Sequence, residues 1–158
     1  MDVLARVTGS ADALRCHVAN SFLVSCDNAH AVHPNHPEYM DKNHAVYMNE
    51  GVVIKYNANQ KYTSDAVSAA IFRLVCENVD VPVQQYANRA DMPGGSTLGN
   101  IANTQVSLNT VDIGLPQLAM HSAYETAGAS DTEYMVRALT AFYGKSLRME
   151  SDGSYKLL

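Results

Sequence analysis

Two short apolar runs, Phe22-Leu23-Val24-Ser25-Cys26 and Val52-Val53-Ile54-Lys55-Tyr56, constrain the fold of this 158-residue chain more than any other feature. Each is too short for a buried helix and lacks the alternation of a half-exposed strand. Such runs describe strands covered on both faces, as in a sheet packed between helices. Around them apolar residues recur at helical spacing. Ser10 is placed to cap a short helix with Ala11, Leu14 and Val18 on one side. After Thr63-Ser64-Asp65, the positions Ala66, Val67, Ala70, Ile71, Leu74 and Val75 predict a core-facing helix. Val81 to Tyr86 and Val106 to Ile113 read as third and fourth strands, the former carrying Pro82 near its start and the latter ended by Gly114 and Pro116. Ser130-Asp131-Thr132-Glu133 has the form of a capping box. It opens a helix with a stripe at Tyr134, Met135, Ala138, Leu139, Phe142 and Tyr143, closed by Gly144. The alternation predicts an α/β domain with a central, largely parallel or mixed sheet between helices. Ser151 to Leu158 carries no pattern and is expected to be loose.

A formal charge of −5 offers no basic footprint, which argues against a nucleic-acid partner. No stretch approaches a membrane-spanning length, and the N-terminus lacks the layout of a signal peptide, so a cytoplasmic protein is expected. Cys16, Cys26 and Cys76 are odd in number and form no CxxC pair, and are expected to be reduced, buried thiols.

The chemistry gathers just past the first strand. Asp27-Asn28-Ala29-His30-Ala31-Val32-His33-Pro34-Asn35-His36 places one carboxylate and three imidazoles in ten positions. They open a polar segment, residues 28 to 50, that reads as a long functional loop. An ionised carboxylate at the end of a buried strand needs a cation or hydrogen-bond donors. Asp27 is therefore either a metal ligand at the strand mouth or the cap of a turn through Asn28 and Ala29. Pro34 and Pro37 break any helix that would align His30, His33 and His36, so these three need not converge; a histidine-rich loop is also a common surface feature, and His44 is assigned to the surface. His121 follows the fourth strand and lies at the same end as Asp27 if those strands are parallel. Alone it also reads as a core or capping residue. Lys55 ends an apolar strand, either snorkelling to solvent or receiving an anionic group. Gly94-Gly95-Ser96-Thr97 offers backbone N–H groups to an anion at a helix start but lacks the lysine and spacing of a P-loop.

Three blocks together resemble the signature of the aspartyl aminopeptidase family of dinuclear zinc exopeptidases. They are Ser25 to Asn35, Val53 to Tyr62 and Leu115-Pro116-Gln117-Leu118-Ala119-Met120-His121-Ser122, in register over about Ser10 to Ser146. The resemblance implies that residues 1–158 are the C-terminal part of a metallopeptidase catalytic domain, without its dimerisation domain or N-terminal catalytic segment. It implies Asp27 as ligand of one zinc and His121 as ligand of the other, with His30 outside the ligand set. It implies that His33 contacts substrate near the scissile carbonyl, and that Lys55, with Tyr62 nearby, pairs with the acidic side chain of the N-terminal residue. The implied activity is release of N-terminal Asp or Glu by zinc-activated water.

The family's bridging aspartate, its glutamate pair and its other histidine ligand have no counterpart in this chain, and no Glu-Glu pair occurs. No catalytic base is therefore assigned in this chain, two zinc ions belong to the complete family site, and the chain alone is expected to hold zinc weakly or not at all and to be inactive. The implied partners are a peptide with an acidic N-terminus and, for the full-length enzyme, further copies of itself. The competing expectation is a non-catalytic truncated module that acts through binding or through assembly with a partner chain.

Overall fold

A computed structural model describes residues 1–158. In chain order the elements are α1 (Asp2–Thr8), α2 (Ala11–Ala19), β1 (Phe22–Cys26), β2 (Ala29–His30), a 3-10 turn (Pro37–Tyr39), β3 (Val52–Tyr56), α3 (Ala66–Glu77), β4 (Val83–Ala87), α4 (Leu98–Gln105), β5 (Asn109–Gly114), β6 (Pro116–Leu118), β7 (Thr126–Ala127), α5 (Ala129–Tyr143), β8 (Leu147–Met149) and β9 (Tyr155–Leu157). No helix is long and apolar enough to cross a membrane.

The central sheet has the order β1-β5-β3-β4. It is mixed: β1 runs parallel to β5 and β3 parallel to β4, but β3 meets β5 antiparallel through Val53–Gly114 and Ile54–Ile113. Side chains alternate across a strand, so β3 serves two cores. Val52, Ile54, Val111 and Ile113 join Ala69, Phe72 and Cys76 of α3 and Ala138 of α5 on one face. On the other, Val53 joins Ala29, Val46, Tyr62 and Tyr86. This double coverage accounts for the unbroken apolar runs. A second sheet, β2-β6-β7, extends from the ends of β1 and β5.

Several sequence expectations need correction. The buried face of α3 is Ser68, Ala69, Ile71, Phe72, Val75 and Cys76, whereas Ala66, Val67, Ala70 and Leu74 lie exposed. A capping box fixes how this helix starts: Asp65 accepts from the Ser68 amide at 2.7 Å and the Ser68 hydroxyl accepts from the Asp65 amide at 3.0 Å. Fully buried Phe72 then sets which side faces inward. The box expected at Ser130 is absent, for α5 starts behind Gly128. Asp131 instead accepts from the amides of Asn49 (2.6 Å) and Gly51 (2.9 Å), clamping the turn that enters β3. The third strand runs one residue past Tyr86, and the fourth begins only at Asn109 because α4 continues to Gln105. Segment 28–50 contains β2 and the 3-10 turn, so it is not wholly irregular. The expected loose tail pairs as β9 against β8. Of the three thiols only Cys76 is buried.

Candidate active site

The β1–β5 pairing decides where the candidate residues go. Phe22 to Cys26 run parallel to Asn109 to Ile113. The Asp27 amide continues the ladder by donating to the Ile113 carbonyl at 2.9 Å. The Ala29 amide donates to Leu115, and β2 then pairs with β6, His30 opposite Gln117. The chain after β1 and the chain after β5 therefore leave the sheet side by side, carrying Asp27 and His30 on one and His121 on the other. Asn28 ties the two together, donating to Gln117 Oε1 at 2.9 Å and accepting from the Leu115 amide at 3.2 Å. Gly114 lies so close to this path that a Cβ there would sit 2.0 Å from the Asp27 carbonyl oxygen.

Lys55 reaches the same place from the antiparallel strand. Its side chain is 1 % exposed, so it does not snorkel. Its Nζ donates to the Asp27 carbonyl at 2.8 Å and to the Asn28 carbonyl at 3.5 Å, and lies 3.6 Å from Asp27 Oδ2. The Asp27 side chain itself is half exposed. The Tyr62 ring sits 4.9 Å from the ammonium, a cation–π contact. Burial lowers the Lys55 pKa from its usual value, with Asp27 and then Asp112 opposing. Burial likewise raises the Tyr62 phenol, aided by the charges of Asp27 and Asp112. His30 is lowered by burial first, then by its electrostatic interactions with His121 and Lys55, against the pull of Asp27. Lys55, Tyr62 and His30 thus share one electrostatic neighbourhood with Asp27.

His121 has a left-handed backbone, φ 68°, a strained state for a residue with a side chain. Its amide donates to Glu125 Oε1 at 2.6 Å. His33 is exposed, its Nδ1 accepts from the Asn35 amide, and its ring lies 5.5 Å from that of His36. A cavity of about 290 Å³ opens here, lined among others by His30, His33, Tyr39, Tyr86 and Met92. Tyr86 connects it to Lys55, for its ring lies 6.4 Å from that of Tyr62. Lys55 does not line this cavity.

No three histidine, cysteine, aspartate or glutamate side chains converge as a metal-ligand set. A zinc site wants three or four protein donors. Asp27 and His121 together would be two donors, fewer than such a set needs. The Gly94–Thr97 turn meets an anion of its own: the Thr97 hydroxyl donates to Asp112 Oδ1 at 2.7 Å. Asp112, Asn28 and Gln117 had no signal in the sequence, since each depends on a partner distant along the chain.

The sequence pattern of the aminopeptidase I zinc metalloproteases (M18) matches residues 2–143. A probable M18 family aminopeptidase 2 of Pseudomonas aeruginosa is 47% identical over 144 residues, covering 91% of this chain and 34% of that protein. Its counterpart in Azotobacter vinelandii is 47% identical over 145 residues, with 92% and 34% covered. The chain thus spans about a third of the length of these curated relatives. Among solved structures, the complex of Ape4 with Nbr1 contains a chain with TM-score 0.87 and 36% identity over 90% of this chain and 28% of its own. The mApe1 dodecamer of S. cerevisiae gives 0.75 and 27%, covering 90% and 32%.

Proposed function

This chain belongs to the aminopeptidase I zinc metalloprotease family (M18), and from that premise we propose that it forms the substrate-reading side of an aminopeptidase acting on acidic N-termini. In this proposal Lys55, with Tyr62 against it, receives the substrate's Asp or Glu carboxylate, because an unpaired carboxylate buried there would be costly. His33 contacts the peptide near the scissile carbonyl, at the rim of the cavity shared with His30. Asp27 and His121 contribute one carboxylate and one imidazole to a zinc centre whose other donors, and whose catalytic base, come from outside residues 1–158. Zinc, when bound, supplies Lewis-acid activation. The chain's own part is to position donors and select the substrate.

The observation that carries this proposal is the meeting of Lys55 and Asp27, with His30 and His121 within electrostatic reach. The bonds from Lys55 to two backbone carbonyls also favour a second role, in which Lys55 holds Asp27 in place. Assembly into a homo-oligomer is part of the proposal, supported by the dodecamer of the S. cerevisiae neighbour.

The test joins residues 1–158 to the remaining part of the Pseudomonas aeruginosa relative and measures hydrolysis of aspartyl, glutamyl and leucyl substrates with zinc, beside the 158-residue chain alone. Turnover by the hybrid with acidic substrates favoured is the expected result. Equal use of leucyl substrate would remove the acidic preference, and turnover by the chain alone would remove the shared centre.

A further inference from the structure

Asp112 is a fully buried carboxylate in the middle of β5. It forms no ion pair. Its charge is met only by neutral donors: the Thr63 amide at 2.7 Å and hydroxyl at 2.8 Å on Oδ2, and the Thr97 hydroxyl at 2.7 Å on Oδ1. The Asp112 backbone is held as well, its amide donating to the Ser64 hydroxyl at 2.8 Å. Helix α4 packs down on the carboxylate at Gly99, where a Cβ would lie 2.8 and 2.9 Å from its two oxygens. Burying a charge without a counter-ion is expensive, and asparagine would satisfy the same neighbours more cheaply.

The register offers the reason for a charge. Ile54 pairs with Ile113, so one step further along both strands Lys55 stands opposite Asp112 on the same face. Thr63, which Asp112 grips twice, is the residue after Tyr62, whose ring lies on the Lys55 ammonium. Asp112 therefore acts on this pair in two ways, through the chain to Tyr62 and through space to Lys55.

We propose that Asp112 is the positioning residue of the Lys55–Tyr62 pair: it fixes Tyr62 through Thr63 and balances the buried ammonium from behind without bonding it, which leaves the Lys55 donors directed toward Asp27 and the incoming acidic group. This rests on Lys55 being the receiver of the substrate carboxylate.

Two measurements test it. In the 158-residue chain, amide exchange at Thr63 and the aromatic resonances of Tyr62 are followed by NMR. Asp112→Asn keeps an acceptor for Thr63 and can donate to Thr97, so both signals should stay as in the parent. Asp112→Ala should speed Thr63 exchange at least about tenfold and shift Tyr62, and an Ala variant with both unchanged would overturn the positioning role. If that variant does not fold, Thr63→Ala, which removes one of the two Thr63 donors, takes its place, with a Tyr62 shift expected and its absence equally damaging. In the hybrid enzyme described above, Asp112→Asn should lower the preference for aspartyl over leucyl substrate about tenfold, mainly through the KM of the acidic one. Thr97→Val, which removes a bond but no charge, should leave that ratio unchanged. An Asp112→Asn enzyme with the parent ratio would overturn the charge-balancing role. Lys55→Met separates the two levels: if it leaves the acidic preference intact, the reading of Lys55 itself fails, whereas loss with Lys55→Met but not with Asp112→Asn rejects Asp112 alone.

Discussion

The Lys55 ammonium donates to the backbone carbonyl of Asp27 at 2.8 Å while standing 3.6 Å from that residue's carboxylate. One buried cation thus meets both the main chain and the side chain of Asp27. Whatever alters Lys55 acts on Asp27 as well.

Lys55→Met should separate the two roles of the lysine. It strands the Asp27 carbonyl without its donor, at a cost of about 1–3 kcal/mol offset by relief of the buried charge. In the hybrid enzyme, kcat/KM for aspartyl substrate should fall at least about tenfold more than for leucyl substrate, equivalent to about 1.4 kcal/mol of discrimination. Equal losses on both substrates would assign Lys55 to holding Asp27 only.

Gly114→Ala should be severe. The added carbon would fall 2.0 Å from the Asp27 carbonyl oxygen, against backbone that cannot swing aside like a side chain. We expect a loss of about 2–4 kcal/mol in thermal or denaturant unfolding. A variant as stable as the parent would mean that the strand end shifts freely, and that the contacts of Asp27 with Lys55 and Ile113 shift with it.

Asp131→Ala should destabilise the chain by about 2–3 kcal/mol, since two amides, of Asn49 and Gly51, lose a charged acceptor. Denaturant unfolding measures it. A cost below about 0.5 kcal/mol, the range of ordinary surface changes, would show that water replaces the clamp.

Zinc binding by the 158-residue chain should be weaker than about micromolar by equilibrium dialysis, because Asp27 and His121 are two donors where a tight site has three or four. Asp27→Ala and His121→Ala should each abolish what binding remains, and should strip metal and activity from the hybrid enzyme. Full zinc retention in either hybrid variant would remove that residue from the centre.

Thiol labelling reports on the core. Burial first, and then the Glu77 carboxylate, push the Cys76 thiol up to about 12, whereas Cys16 is exposed. At pH 8 iodoacetamide should modify Cys16 in the native chain and reach Cys76 only on unfolding. Equal rates, read by mass spectrometry, would place α3 away from the sheet.

Much of this architecture is legible in the sequence because a strand covered on both faces demands an unbroken apolar run, and β1 and β3 carry such runs. The end of the sheet at which Asp27 and His121 emerge also follows from strand order, once β1 and β5 are taken as parallel. The inward face of α3 is not legible. Its apolar residues nearly encircle it, and the choice between Leu74 and Phe72 is made by the sheet it meets. Asp131 looks like part of a capping box until the turn at Asn49 supplies better donors. Asp112 reads as an ordinary strand residue, since its partners Thr63 and Thr97 lie 49 and 15 positions away. Lys55 stands at the end of an apolar run, where solvent is the default expectation. Its burial depends on Tyr62 and on the crossing of an antiparallel neighbour.

The order β1-β5-β3-β4 has a temporal side. Lys55 lies in β3 and Asp27 just past the end of β1, strands that never adjoin, and the segment inserted between them, residues 109–114, is translated long after both. A nascent chain halted before Asn109 would hold the two residues without the spacer that brings them together. The meeting of Lys55 with Asp27 in its native form therefore waits until residues 109–114 have been made.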